Sequence, residues 1–193
     1  MTVQKLSISG AYLITHNVFP DERGVFREWF RSREIKSINP SFSVEQANYS
    51  RSKKWVIRGM HYSLSPHGQA KVVTCANGKI LDVLIDIRID SPTYLKVDYM
   101  PLSEESGNVV YIPSGVAHGF MVQSETASVV YLTSSQYDPE HERAICPTDP
   151  ELGIHWPLPL GKSAVLSKTD LDASTLLQAA DSGALPRISP RQG

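Results

Sequence analysis

Short runs in which hydrophobic and polar residues alternate make up most of this chain. A period of two, with β-branched and aromatic residues, is typical of strands that bury one face. The pattern predicts strands within residues 11–30, 42–50, 55–62, 70–89, 94–102, 109–113 and 117–136. Because many short strands separated by Gly, Pro, Asn and Asp imply a sandwich or a barrel, we expect a mainly β protein of this kind.

Turn and helix signals complete this picture. In KVVTCANGKILDVLIDI, Asn77 and Gly78 separate two hydrophobic runs and predict a type I′ turn that joins a β-hairpin. Helical patterns are few and short. SREIKSI predicts about two turns of helix, and a C-terminal helix is predicted to begin near Asp172 and to stop at Gly183 and Pro186. We expect this last helix to lie against the β body.

Composition and charge restrict the class of protein. The 193 residues are enough for a single domain over 1–193, and no repeat or change in composition argues for two. Since 19 basic residues balance 20 acidic ones, a nucleic-acid or anionic-membrane partner is not expected. No apolar run is long enough to span a bilayer, and Cys75 and Cys146 lack CxxC spacing. We expect a soluble, cytoplasmic protein with reduced cysteines.

The stretch RGMHYSLSPHGQAK concentrates titratable side chains between two predicted strands. It contains Arg58, His61, His67 and Lys71. A sheet interior tolerates charge only when the charge is paired or functional, so the cluster predicts the lining of a pocket. In a regular strand Arg58 and His61 point to opposite faces, and a bulge is needed for them to converge.

A second motif, IPSGVAHGF, places Pro113, Gly115 and His118 in the order PxGxxH. It resembles the second conserved motif of the cupin superfamily, in which the histidine points into a small β-barrel. Metal-binding cupins also carry an HxH pair and a glutamate, whereas this chain reads His61-Tyr62-Ser63 at the matching place. His67 is a poor substitute, and two histidines fall short of a three-ligand site. We therefore predict a cupin-like jelly-roll barrel or sandwich without metal or other cofactor.

A more extensive resemblance covers roughly residues 5 to 172. It is carried by DERGVFREWF, QANYS, RGMHYS, QAKVV, GKILDVLIDIRIDSPTY, YIPSGVAHGF, VVYLTSSQYDPEHE and DPELGIHWPL. In this order they resemble the motifs of the dTDP-4-dehydrorhamnose 3,5-epimerase family. The resemblance implies cofactor-independent epimerisation of a dTDP-4-keto-6-deoxyhexose at C3 and C5, with protons removed and returned beside the C4 ketone.

The same resemblance implies roles for four catalytic residues. His61 matches the base, and Asp170 matches the carboxylate that hydrogen-bonds the base and fixes its tautomer. Lys71 matches a lysine near the sugar C4 oxygen, where an ammonium stabilises the charge of the enolate. Tyr131 matches the proton donor. Without the motif, Lys71 reads as a lysine at a strand end and Tyr131 as a core tyrosine.

Substrate-binding residues follow from the resemblance as well. Arg23 and Arg58 match positions that contact the nucleotide and its phosphates, for which the planar arginine fork is suited. The positions around the base are matched by Phe26, Glu28, Gln46 and Asn48, and further sugar or nucleotide contacts by His118 and Glu142. In the family, part of this set comes from the neighbouring subunit, which implies a homodimer.

Two positions depart from the family pattern and leave alternatives open. Thr169, preceded by Lys168, stands where relatives commonly carry Lys or Arg, and Ser63 stands where they carry Gln. An epimerase acting at C3 only or C5 only, or a ketoisomerase of another dTDP-deoxysugar pathway, fits the same catalytic set. A non-catalytic nucleotide-sugar binding module is the alternative of a different class, but binding alone needs neither a base nor its orienting carboxylate.

Overall fold

Thirteen strands and three short helices are present in the computed structural model, which describes residues 1–64 and 68–188. The strands are β1 (Thr2–Lys5), β2 (Tyr12–Thr15), β3 (Phe19–Asp21), β4 (Gly24–Phe26), β5 (Gln46–Lys53), β6 (Ile57–Ser63), β7 (Lys71–Asn77), β8 (Lys79–Asp86), β9 (Val97–Ser103), β10 (Asn108–Ile112), β11 (Val116–Val122), β12 (Thr126–Thr133) and β13 (Glu142–Ala144). The helices are α1 (Ser32–Ile38), α2 (Lys168–Leu171) and α3 (Leu176–Asp181). The prediction of a mainly β fold is confirmed.

The strands form two large antiparallel sheets. One has the order β1-β2-β10-β7-β12-β5 and the other the order β13-β6-β11-β8-β9, while β3 and β4 pair only with each other. Alternate side chains of both sheets meet in one buried apolar cluster, to which β7 contributes Val73 and Cys75, β8 contributes Leu84 and β11 contributes Phe120. The two sheets therefore pack face to face as an open sandwich.

The outer face of each sheet is covered by chain from elsewhere in the sequence. Trp156 and Leu185, from the C-terminal third, pack on the outer side of the five-stranded sheet. Ile35 of α1 and Phe42 pack on the outer side of the six-stranded sheet. Because both faces of the central strands are buried, their sequences read as near-continuous apolar runs, and residue alternation separates inner from outer positions. Only the inner positions can contribute to a site between the sheets.

The helices agree with the sequence in place and differ in extent. SREIKSI forms α1, as predicted. The C-terminal helix is also present, but α3 begins at Leu176, where Thr175 caps it and Gln178 completes a capping box. Asp172 instead ends the separate turn α2. No helix in the described ranges 1–64 and 68–188 is long and apolar enough to cross a membrane.

The predicted hairpin at Asn77 and Gly78 is wrong. The chain bends there with Gly78 at a φ of +80°, but Asn77 does not have the positive φ that the predicted type I′ turn needs. However, β7 pairs with β10 and β12 in one sheet, whereas β8 pairs with β9 and β11 in the other. A tight turn between two apolar runs suits a corner that carries the chain from one layer of a sandwich to the other, just as it suits a hairpin.

A bulge in β6 brings Arg58 and His61 to the same face. His118 of β11 lies opposite His61, and Phe120 lies opposite Arg58. An interval of two residues on β11 therefore faces an interval of three residues on β6. The extra residue changes the alternation, which a regular strand would keep. Both side chains therefore face the space between the sheets, and the convergence that the sequence left open does occur.

Gly59 is the residue that allows this bulge. Its φ is +139°, and an added Cβ would lie 2.5 Å from Gly119 Cα and 3.0 Å from the His118 carbonyl oxygen. Both contacts are to backbone of the neighbouring strand, which carries a site residue. A side chain here would therefore push β6 and β11 apart next to His61.

We expect Gly59→Ala to destabilise the protein by about 3 kcal/mol or more, because backbone strain and a backbone clash add. Chemical denaturation measures the loss. Gly153→Ala is the matched control, since Gly153 also has a positive φ, +61°, but nothing lies within 4 Å of its added Cβ. We expect the control to cost about 1–2 kcal/mol from strain alone. Equal losses in the two variants would show that the close approach of β6 and β11 is unimportant.

Candidate active site

A cavity of about 580 Å³ opens between the two sheets at one end of the sandwich. Its volume lies within the range of small-molecule sites. Strands of both sheets supply its walls, which are lined by Gln46, Asn48, His61, Gln69, Lys71, Tyr131, Tyr137, Glu142, Arg143, Ala144 and Thr169. Six of the twelve residues predicted to form the site are in this lining. The structure thus brings together residues that lie almost a hundred positions apart in the sequence.

His61 forms a hydrogen-bonded pair with Asp170. His61 Nε2 lies 2.8 Å from Asp170 Oδ1, with the imidazole half-exposed and the carboxylate buried. Asp170 is held in α2, where its backbone N–H donates to the Ser167 side chain. Burial opposes ionisation of Asp170, but the hydrogen bond and the charge of His61 outweigh it and leave the pKa of Asp170 below its usual value. An ionised carboxylate only accepts, so Nε2 carries the hydrogen and Nδ1 is left as the free, basic nitrogen.

Lys71 is buried at the first position of β7. Alternate residues of a strand share a face, so the Lys71 side chain lies on the same face of β7 as Val73 and Cys75 and points between the sheets. Burial lowers the pKa of its ammonium, and the negative charge of Glu142 opposes that shift. The arrangement places a cation inside the cavity with little water around it, where its electrostatic effect on a ligand is strong.

Tyr131 lies on β12, in the sheet opposite that of His61. Its ring packs against the core between the sheets, and its hydroxyl end lines the cavity. Burial raises the pKa of the phenol, against the opposing effect of the Arg58 cation. Arg58 itself is exposed and donates from Nε to Ser52 Oγ over 2.9 Å. A neutral phenol and an imidazole therefore stand on opposite walls of one cavity.

His118 lies beside His61 but behind the cavity wall. Its Nε2 is 2.7 Å from Asp82 Oδ1, and both residues are buried. The second oxygen of Asp82 has no hydrogen-bond partner in the described part of the chain. His118 is therefore committed to an aspartate, and the predicted ligand contact of this residue stays a prediction.

Arg23, Phe26 and Glu28 lie away from the cavity. Arg23 and Phe26 belong to the β3–β4 hairpin, where they are exposed, and Glu28 follows it. Arg23 pairs with its neighbour Asp21, and Glu28 with Arg31. Within one chain the structure does not bring these three residues to His61, and their predicted role in ligand binding stays a prediction.

Sequence reasoning missed five residues of the lining, namely Gln69, Tyr137, Arg143, Ala144 and Thr169. Gln69 precedes Lys71 by two positions, so strand alternation could have placed it on the same wall. Its side-chain amide donates to the Ser135 carbonyl at 2.8 Å. Tyr137 lies in an irregular loop, held where its backbone N–H donates to Gln46 Oε1 at 2.8 Å, and no periodic signal marks it. Thr169, noted only as a departure from the family pattern, lines the wall next to Asp170.

No cluster of three or more His, Cys, Asp or Glu side chains suited to a metal ion is found among residues 1–64 and 68–188. His61 and His118 are each bonded to an aspartate instead. His67, which the sequence raised as a poor substitute ligand, lies outside the described residues.

Comparison with known proteins decides the family. The sequence model of dTDP-4-dehydrorhamnose 3,5-epimerases matches residues 5–178. The chain belongs to the dTDP-4-dehydrorhamnose 3,5-epimerase family. It is accordingly an epimerase of the isomerase class, and the resemblance seen in the sequence motifs is confirmed.

Individual relatives of this epimerase match over nearly their whole length. The dTDP-4-dehydrorhamnose 3,5-epimerase of Mycobacterium tuberculosis is 38% identical, over 100% of this chain and 96% of the relative. A dTDP-4-dehydrorhamnose 3-epimerase of Streptomyces niveus is 41% identical, over 100% of this chain and 92% of the relative. The two names differ in the number of carbons acted on, and the two identities are nearly the same.

The fold is also shared with a solved ligand complex. The epimerase of Legionella pneumophila bound to dTDP-4-keto-L-rhamnose has a TM-score of 0.88 and 36% identity, over 98% of this chain and 99% of that one. Agreement at this level confirms the cupin-like architecture expected from the sequence.

Proposed function

We propose that this epimerase inverts C3 and C5 of a dTDP-4-keto-6-deoxyhexose, converting dTDP-4-dehydro-6-deoxy-D-glucose into dTDP-4-dehydro-L-rhamnose without a cofactor. One observation carries the proposal: a basic imidazole and a neutral phenol occupy opposite walls of one cavity, with a buried lysine in the same lining. Epimerisation beside a ketone needs a base on one face of the sugar, an acid on the other and a cation at the ketone oxygen.

The proposed steps use these groups in turn. Nδ1 of His61 takes the proton from a carbon next to the C4 ketone, and Asp170 stabilises the imidazolium that results. The C–H electron pair forms the enolate, whose C4 oxygen is stabilised by the Lys71 ammonium. Tyr131 then gives its phenolic proton to the opposite face of the same carbon, which inverts it. Solvent restores both protonation states before the second carbon reacts.

Nucleotide binding is proposed to involve two subunits. Phe19, Val25 and Phe26 leave an apolar surface exposed on the β3–β4 hairpin, beside Arg23 and Glu28. In a homodimer this hairpin would be covered and could bring its charged and aromatic groups to the partner's cavity, near Gln46, Asn48 and Arg58. The edge strand β1 offers a second surface for pairing. We place the enzyme in the cytoplasm, where its two unpaired cysteines stay reduced.

Epimerisation at C3 alone is the second candidate. It is favoured by Thr169, which lines the cavity where relatives commonly carry a longer cation, and by the similarity to a relative named as a 3-epimerase. Loss of one cation at the wall changes how the sugar lies between His61 and Tyr131. A shift of this kind decides which carbon each group reaches.

Incubation with dTDP-4-keto-6-deoxyglucose in deuterium oxide tests the proposal. We expect deuterium at both C3 and C5, measured by mass spectrometry and NMR, and an inverted product that a rhamnose-forming reductase traps. Deuterium at C3 only would select the second candidate. No incorporation despite tight binding of dTDP would contradict epimerisation of this sugar and favour a nucleotide-sugar binding module.

A further inference from the structure

Lys71 and Glu142 are the two charged side chains of the cavity that lack a close partner. Within the part of the chain that the structure describes, neither the ammonium nor the carboxylate has a hydrogen bond or an ion pair within 4.0 Å. His61 is bonded to Asp170, and the Arg143 guanidinium donates to a backbone carbonyl. Glu142 is also the one carboxylate among the described residues that line the cavity.

The fold holds these two side chains at neighbouring positions. Glu142 lies on β13 opposite Ser63, the last residue of β6. The Ser63 hydroxyl accepts a hydrogen bond from the Gln69 backbone N–H at 2.6 Å, which ties the end of β6 to the chain that enters β7. Lys71 begins β7 two residues later. The carboxylate and the ammonium thus reach the same cavity from two strands that are fastened together.

We propose that Glu142 is a positioning residue: its carboxylate is the counter-charge of Lys71 in the cavity and directs the ammonium toward the place where the enolate oxygen develops. The inference rests on the proposed function for the role of Lys71 in the reaction. It differs from the role in ligand contact that the family resemblance implies for Glu142, because here Glu142 acts through Lys71.

Electrostatics at the site supports this assignment. Burial lowers the pKa of Lys71, and Glu142 is the group that opposes the shift. Burial in turn raises the pKa of Glu142, while the positive charges of Lys71 and His61 hold it down. Among the described residues, the other titratable or charged groups that line the cavity or face the space between the sheets are His61 and Arg58 of β6, Tyr131 of β12, Arg143 of β13, Tyr137, His118 of β11, Asp82 of β8 and Asp170 of α2. Asp138 also acts on Glu142 and raises its pKa. Asp82 and Asp170 are each bonded to a histidine, and Glu142 is the carboxylate that acts on Lys71.

The dependence of activity on pH is set by the protonation of Lys71. Lys71 assists only while protonated, so activity is lost as the pH rises through its pKa. Removing Glu142 removes the charge that keeps this pKa up. We expect Glu142→Gln to move the alkaline limb of the kcat/KM profile for deuterium exchange to lower pH, by about one unit or more. At pH values below the shifted limb, the rate should return to within a few-fold of wild type.

Two further variants separate this effect from simpler ones. Glu140→Gln removes the same charge from an exposed position in the loop that precedes β13, and we expect it to leave the profile unchanged. Glu142→Asp keeps the charge and should restore most of the alkaline limb. A role in ligand contact would instead raise KM at every pH, and a role in folding would lower the rate at every pH. Either pattern would overturn the inference if the alkaline limb of the kcat/KM profile stays at the same pH as in wild type.

A second measurement does not depend on turnover. Trace labelling with acetic anhydride at pH 8, read for Lys71 by mass spectrometry, reports the neutral fraction of its amine. We expect labelling of Lys71 to rise on the order of tenfold in Glu142→Gln, which corresponds to one pKa unit. Unchanged labelling would contradict the inference even if the enzyme is active. Absence of exchange in the wild type would contradict the proposed function alone, since the labelling result would stand.

Discussion

Replacement of His61 by alanine is expected to reduce deuterium exchange at C3 and C5 by about 10²- to 10⁴-fold while leaving the affinity for dTDP within a few-fold of wild type. The residues predicted for proton exchange and those predicted for dTDP binding lie in different parts of the structure. His61 is on β6 within the cavity, whereas Arg23 and Phe26, the predicted nucleotide contacts, are elsewhere. The base acts on the sugar and contributes little to binding of the nucleotide.

Isothermal titration with dTDP and the exchange assay together test this expectation. Because His61→Ala leaves the buried Asp170 unpaired, thermal unfolding must accompany them. Asp170→Asn is the companion variant, since its amide can present a hydrogen donor to Nε2 and move the imidazole hydrogen onto Nδ1. We expect it to lower exchange while His61 remains in place. A parallel loss of dTDP affinity and exchange in His61→Ala would count against the role of base.

Lys71 and Tyr131 were predicted through the family resemblance, and strand alternation explains why their side chains reach the site. Lys71 and Tyr131 share parity with apolar residues that the structure places between the sheets. The His61–Asp170 pair lies beyond such reasoning, since the two residues are 109 positions apart. Only the turn α2, folded back on β6, brings them together. That pairing was predicted through family resemblance, and the geometry now supports it physically.

Local patterns could not decide how layers connect. Asn77 and Gly78 permit a tight turn, but whether the following strand pairs beside β7 or crosses to the other sheet depends on which partners are available. The bulge at Gly59 is similar, because its cause is the close approach of Gly119 on another strand. Tyr137 was missed for the same reason: an irregular loop carries no period, and its position depends on a hydrogen bond to Gln46.

The phenol of Tyr131 gives the second large effect. We expect Tyr131→Phe to retain exchange at the carbon that His61 deprotonates but to lower the yield of inverted product by about 10²-fold or more, since no donor is left on the opposite wall. The ring stays, so packing against the core is preserved. A phenol is neutral at neutral pH, and burial raises the pKa of Tyr131 further. That is the form able to give up a proton.

Exchange without inversion is the decisive pattern, because it means that the enolate forms and is protonated again from the face of His61. Quenched time points, with deuterium located by NMR and epimers separated by chromatography, measure both quantities in one sample. Ser128→Ala is a suitable control, since Ser128 lies on the same strand and its hydroxyl bonds Tyr49 away from the cavity. Inverted product at the wild-type rate from Tyr131→Phe would assign the second proton to another donor, such as water. In that case Tyr131, on the wall opposite His61, would help to position the sugar but would not be the acid that protonates the enolate.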